Sequence, residues 1–188
     1  MAEVSNWYEL GPFTVFDVET TGMSPVNDRI VELAAVRVDR DGEITRFESL
    51  VNPSCSIPPQ VSRVHRITDD MVIDAPKFSD VGYQFLELAK DSTLVAHNAR
   101  FDLGFLQESL SRSGLPLWQG KTMDSIRLMK QAYAGLPSYS LQSLRRTFQL
   151  EDLREGLQAH RAGADVEWTV QLLQIAFTEL LKKVGGSS

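Results

Sequence analysis

Residues 13–18, FTVFDV, are β-branched and aromatic and apolar on both faces, which suits a central strand buried on both sides. RIVELAAVRV at 29–38 and ITRFESLV at 44–51 read as two further strands. A turn at 22–27 precedes them, and Asp41-Gly42 between them is a hairpin signal. Together the three predict an antiparallel meander. Residues 52–75, with Pro53, Pro58 and Pro59, read as loop. Beyond them the apolar period changes from strand-like to helical. Phe78, Val81, Phe85 and Leu88 place a helix over about 76–89, and Leu103, Leu106 and Leu110 another over 99–112, with a brief strand at 93–96 between. A short strand near 121–123 leads into 124–134, and 140–148 is a small helix with Ser138 as its expected cap. The last helix runs over about 161–183, with Val166, Val170, Leu173, Phe177, Leu180 and Val184 on one face. Strands first, then strands alternating with helices, predict one mixed α/β fold. We expect a single domain over 1–188, with its core at about 12–182 and a flexible tail at 183–188.

The composition, 43% hydrophobic and 23% charged over 188 residues, is that of an ordinary globule that needs no disulfide or metal staple. The lone Cys55 excludes an internal disulfide and any zinc site built on several thiolates, and reads as an inert loop thiol. The N-terminal stretch lacks the basic start and apolar core of a signal peptide, and no apolar run approaches a membrane span. A cytoplasmic location and no membrane partner are expected. The net charge of −6 disfavours coating nucleic acid through a broad basic surface.

Where the acids sit matters more than their number. Asp17 and Glu19 stand two apart on the first strand, so both project from one face. Like charges on one buried face resist ionisation unless a cation lies between them. The alternative is a strand that ends near Val18 and leaves both acids in solvent. Asp102, after Asn98 at a strand-to-helix junction, borders the stripe of Phe105 and Leu106; alone it reads as a first-turn acid. His160 and Asp165 open the last helix, and alone they read as a helix start. Together, four acids and a histidine border the ends of core elements. Oxygen ligands without thiolates select Mg²⁺ or Mn²⁺ over zinc. A pair of such ions is a known clamp for attack on phosphodiesters.

On these residues the sequence resembles the DnaQ-like 3′→5′ exonucleases of the DEDDh subgroup, the family of the DNA polymerase III proofreading subunit. The likeness spans about residues 12–180. It rests on three motifs in order: Phe16-Asp17-Val18-Glu19-Thr20-Thr21-Gly22, His97-Asn98-Ala99-Arg100-Phe101-Asp102, and His160-Arg161-Ala162-Gly163-Ala164-Asp165. The resemblance implies a ribonuclease H-like fold, a five-stranded mixed sheet flanked by helices. It implies two ions per site. Asp17 would bridge both, Glu19 and Asp165 would hold the one that activates water, Asp102 would support the second, and His160 would be the general base. Thr20 and Thr21 would approach the terminal nucleotide, with Asn98 and Phe101 shaping its pocket. His65, in Val64-His65-Arg66-Ile67-Thr68, is a further substrate-contact candidate. Arg66 stands where the family usually has glycine. If that backbone needs positive φ, the loop must be remodelled, and the guanidinium is then available to a phosphate.

The expected activity is removal of 5′-mononucleotides from 3′ ends of single-stranded DNA, in proofreading or repair, with a DNA polymerase subunit as candidate partner. RNA 3′-end trimming and a non-catalytic replisome-binding module are the alternatives. Setting four acids aside leaves 19 basic residues against 21 acidic, a near-neutral remainder suited to short-range capture of a 3′ end.

Overall fold

The computed structural model describes residues 4–153 and 160–185. Strands β1 (Phe13–Thr20), β2 (Ile30–Val38), β3 (Ile44–Leu50), β4 (Thr93–Ala96) and β5 (Thr122–Asp124) form one sheet in the order β3-β2-β1-β4-β5. The first three pair antiparallel, and β4 and β5 add in parallel. Gly42, at φ +87°, supplies the left-handed residue of the β2–β3 turn. The helices are α1 (Pro59–His65), α2 (Asp69–Val72), α3 (Phe78–Ala89), α4 (Ala99–Arg112), α5 (Ser125–Ala132), α6 (Leu141–Phe148) and α7 (Ala162–Gly185).

The central strand divides its side chains between two cores. Phe13 and Val15 of β1, with Ala34, Val36 and Val38 of β2, pack against α5 and α7. Phe16 and Val18, with Leu33 and Ala35, pack against α3 and α4. This is the period-two alternation of a strand covered on both faces, and it places the next odd residues, Asp17 and Glu19, on the α7 side. The strand does not end near Val18. It runs to Thr20, and Asp17 and Glu19 are half-buried rather than solvated at its tip.

Other expectations are corrected. The stretch read as loop holds α1 and α2, of seven and four residues, too short to show a helical period. Pro59 starts α1 at a position where a missing N–H costs nothing. Ser140, not Ser138, caps α6, its hydroxyl accepting the Ser143 N–H at 3.3 Å. Residues 183–185 of the expected tail are helical, because α7 continues through Gly185. Residues 186–188 lie outside the described residues. Among those described, no helix is long and apolar enough to cross a membrane.

Candidate active site

The register of β1 on β2 sets the floor of the site. Asp17 lies opposite Ala34, a small residue, and Glu19 lies opposite Glu32. A register shift between Glu19 and Thr20 ends the regular ladder at this point. Such irregularities re-aim side chains at strand ends. Asp165 arrives from the first turn of α7, which crosses the same face. One carboxylate oxygen from each of Asp17, Glu19 and Asp165 lies within 4.8 Å of the others.

Asp102 adjoins this group from the other side of β1. β4 pairs with β1 only as far as Val15, so the Val18 N–H has no strand partner on that edge. Asp102 Oδ1, buried at 3% exposure in the first turn of α4, accepts it at 3.1 Å. The acid read from sequence as a first-turn residue therefore fixes the strand between Asp17 and Glu19.

Burial is the main cause of the unusual acidities, and mutual repulsion adds to it. Asp17 is held well above the ordinary carboxylate range by desolvation and then by Asp102, Asp165 and Glu19. Glu19 is pushed up to about 9 by desolvation, with Asp165 and Glu32 adding. Desolvation lifts Asp102 to about 8 against the pull of the Val18 N–H. Asp165 is lifted to about 7 by desolvation, against a hydrogen bond from the His160 backbone N–H. Its Oδ1 is buried with no hydrogen-bond partner. Three converging carboxylates, one of them with a buried unpartnered oxygen, and no thiolate fit a hard divalent cation.

The other candidates surround this centre. His160 is exposed, with left-handed backbone at φ +61°, just before α7. Thr20 and Thr21 are buried, and their hydroxyls serve the turn that follows: Thr20 Oγ1 donates to the Gly22 carbonyl at 2.6 Å, and Thr21 Oγ1 accepts the Arg29 N–H at 3.0 Å. A Cβ on Gly22 would meet the Asp28 carboxylate at 2.4 Å, so the turn closes only on glycine. His65 is 2% exposed. Its Nδ1 accepts the Ile67 N–H at 3.1 Å and its Nε2 lies 3.1 Å from the Thr20 carbonyl, so both nitrogens face backbone rather than an open pocket. It braces Thr20 from below. Arg66 adopts φ +61° as the C-cap of α1, so the left-handed backbone is kept without its glycine. Asn98 stands at the N-cap of α4 but makes no side-chain cap; it too is left-handed, at φ +66°. Phe101, half-buried beside Asp102, packs its ring at 5.0 Å and a 48° tilt against Phe105.

Sequence reasoning missed Glu32. It is 1% exposed and accepts from Arg161 Nε at 3.1 Å, from Arg161 Nη2, and from the Ala162 N–H at 2.9 Å. This ties the start of α7 to β2 between His160 and Asp165. The signal was a lone acid in the otherwise apolar IVELAAV at 30–36.

A mixed five-stranded sheet of ribonuclease H-like order, with strand and helix carboxylates converging at one end of its central strand, defines a class: metal-binding nucleases. Comparison with known proteins narrows it. The family model for RNase T, described as an exonuclease, matches residues 14–173. The DNA polymerase III subunit epsilon of Treponema pallidum is 38% identical over 175 residues, covering 92% of this chain and 80% of that protein. The PolC-type DNA polymerase III of Caldanaerobacter subterraneus subsp. tengcongensis is 36% identical over 175 residues; the match covers 93% of this chain but only 12% of that polymerase. Exonuclease X, solved with 5′-overhanging duplex DNA, is 31% identical with a TM-score of 0.67, covering 93% of each chain. The chain belongs to the exonuclease family, in its DnaQ-like 3′→5′ branch.

Proposed function

We propose that this chain hydrolyses the last phosphodiester bond at 3′ ends of single-stranded DNA, releasing 5′-mononucleotides with two Mg²⁺ or Mn²⁺ ions per site. The observation that carries the reading is the convergence of Asp17, Glu19 and Asp165 within 4.8 Å, with a buried Asp165 oxygen left unpartnered. In this reading Asp17, Glu19 and Asp165 would hold one ion, and Asp17 with Asp102 would hold the other. When bound, divalent ions lower the pKa of a water and set positive charge against the phosphate.

The chain's own residues do the rest. His160, exposed beside Asp165, takes the proton of the attacking water and returns it to solvent. The new bond joins the water oxygen to phosphorus; the bond to the 3′-oxygen of the preceding nucleotide breaks, and that oxygen is protonated as it leaves. Asp102 holds β1 in place through Val18, and His65 holds Thr20, so the strand end stays rigid beneath the terminal nucleotide. Asn98 and Phe101, at the head of α4, border that nucleotide. The similarity to polymerase III subunits supports a cytoplasmic role in proofreading or repair, with a DNA polymerase subunit as partner.

Incubation of 3′-labelled single strands with Mg²⁺ or Mn²⁺ tests this. Chelator should stop mononucleotide release, and Asp17→Ala and His160→Ala should each be severely impaired. Variants as fast as the parent would refute the assignment. DNA and RNA strands of one sequence, in competition, decide the preferred substrate.

A further inference from the structure

The sheet end that carries the carboxylates also borders a cavity of about 380 Å³ on the opposite, α3/α4 face. Its lining joins Arg29 just before β2, Lys77 at the N-cap of α3 and Arg112 at the last residue of α4, with Asn52, Ser54 and Ser109 among them. No carboxylate is among the described lining residues. In a chain of net charge −6, three cations around one acid-free cavity are a local inversion of sign.

These cations are oriented mainly by neutral acceptors. Arg29 Nη1 donates to the carbonyls of Asn27 at 3.1 Å and Asp28 at 2.9 Å. Arg112 Nη2 donates to the carbonyls of Pro25 at 3.1 Å and Val26 at 2.9 Å, and shares charge with exposed Glu108 at 3.3 Å. Lys77 Nζ donates to Ser54 Oγ at 2.7 Å. Carbonyls and hydroxyls aim a cation without cancelling its charge. Like charges held around one cavity repel, and an anion among them relieves that repulsion. Serine and asparagine side chains supply the further donors a phosphate accepts.

The cavity is also tied to the reaction site. Thr21 N–H donates to the Arg29 carbonyl at 2.8 Å, and Thr20 pairs with Ile30, a lining residue. α4 carries Asp102 in its first turn and Arg112 at its end; ten residues of helix span about 15 Å, the rise of roughly four stacked nucleotides. We propose that this cavity binds a backbone phosphate of the substrate strand, about four nucleotides upstream of the 3′ end. The proposal rests on the exonuclease reading above.

Lys77→Glu tests it, because Lys77 is exposed and takes no part in the carboxylate centre. A 12-nucleotide single strand reaches the cavity. The p-nitrophenyl ester of thymidine 5′-monophosphate, with no upstream strand, reports the centre alone. Lys77→Glu should raise KM for the 12-mer about tenfold and flatten its dependence on log salt by about one unit. Ester hydrolysis and kcat should stay at parental values, and Lys77→Arg should restore KM. An unchanged 12-mer KM, the result expected if an acidic protein docks here instead, overturns the proposal, as does an equal change with the ester. If the parent fails on the ester, the exonuclease reading has failed. Fluorescence anisotropy of a labelled 12-mer in chelator then tests the cavity alone, with weaker binding by Lys77→Glu expected and unchanged binding overturning it.

Discussion

Glu19 and Glu32 are cross-strand partners on one face of the sheet, and the chain settles their charges in opposite ways. Glu32 is almost wholly buried but accepts a guanidinium and a backbone N–H, so its charge is met from within. Glu19 faces Asp17 and Asp165, and desolvation, followed by Asp165 and Glu32, pushes it up to about 9. One helix start creates both situations. Arg161 supplies the cation that Glu32 needs, and Asp165, four residues on, adds the anion that worsens the position of Glu19. On the proposed function, the difference separates a structural carboxylate from a ligand carboxylate. The first is complete in the folded chain; the second is complete only with something brought in.

The sharpest test removes one acid from the uncompensated group. Asp17→Asn should lower mononucleotide release at least about a thousandfold, ~4 kcal/mol of barrier. With chelator present, the same variant should melt at or above the parental temperature, because a buried carboxyl that resists ionisation among its neighbours has gone. A variant that is both active and less stable would erase the distinction. Glu32→Ala should behave in the opposite way. Deleting one partner of a buried pair strands the other, at about 3–5 kcal/mol, so denaturant unfolding should show a large loss of stability with or without metal. Its conservative companion Glu32→Gln keeps acceptors for Arg161 and should recover part of that loss.

Acidity probes the same contrast across pH. The folded-state values of Asp165, Asp102 and Glu19, at about 7, about 8 and about 9, lie above their ordinary ones near 4. The folded protein therefore binds more protons than the unfolded chain between those limits, and its stability falls as pH rises. In chelator, stability should decline as pH rises from about 4 toward 9, by about 1.4 kcal/mol per pH unit for each net proton, and the melting temperature should fall with it. Saturating Mg²⁺ or Mn²⁺ should flatten the decline, since a bound cation favours the ionised acids. A decline equally steep with and without cation would mean that the acids do not share a metal.

Why some of this was visible in the sequence follows from range. Asp17 and Glu19 were legible because a strand's period is local, and Asp102 and Asp165 because each follows a strand or helix boundary marked by its neighbours. Glu32 looked like one more acid, since its meaning comes from a register with β1 and a contact 129 residues away. The burial of His65 was hidden for a related reason. Its exposure depends on α1, which is too short to announce itself, and the fold spends both ring nitrogens on backbone.

The smallest effect concerns a backbone conformation rather than a carboxylate. Arg66 is exposed at the end of α1, next to the buried His65. Its backbone is left-handed at φ +61°, a conformation that costs a non-glycine residue about 1 kcal/mol. The loop keeps this geometry, with the Arg66 N–H closing on the Ser62 carbonyl at 2.7 Å, so glycine fits without remodelling. Arg66→Gly should raise the melting temperature by about 2–4 °C, the shift expected for ~1 kcal/mol in a chain of this size. Because His65 still braces Thr20, turnover of a 3′-labelled strand should stay within about twofold of the parent, since an exposed surface charge contributes little. A melting temperature that falls would show that the arginine side chain's own contacts outweigh the backbone strain. A larger loss of turnover at unchanged stability would mean that this exposed charge meets the substrate.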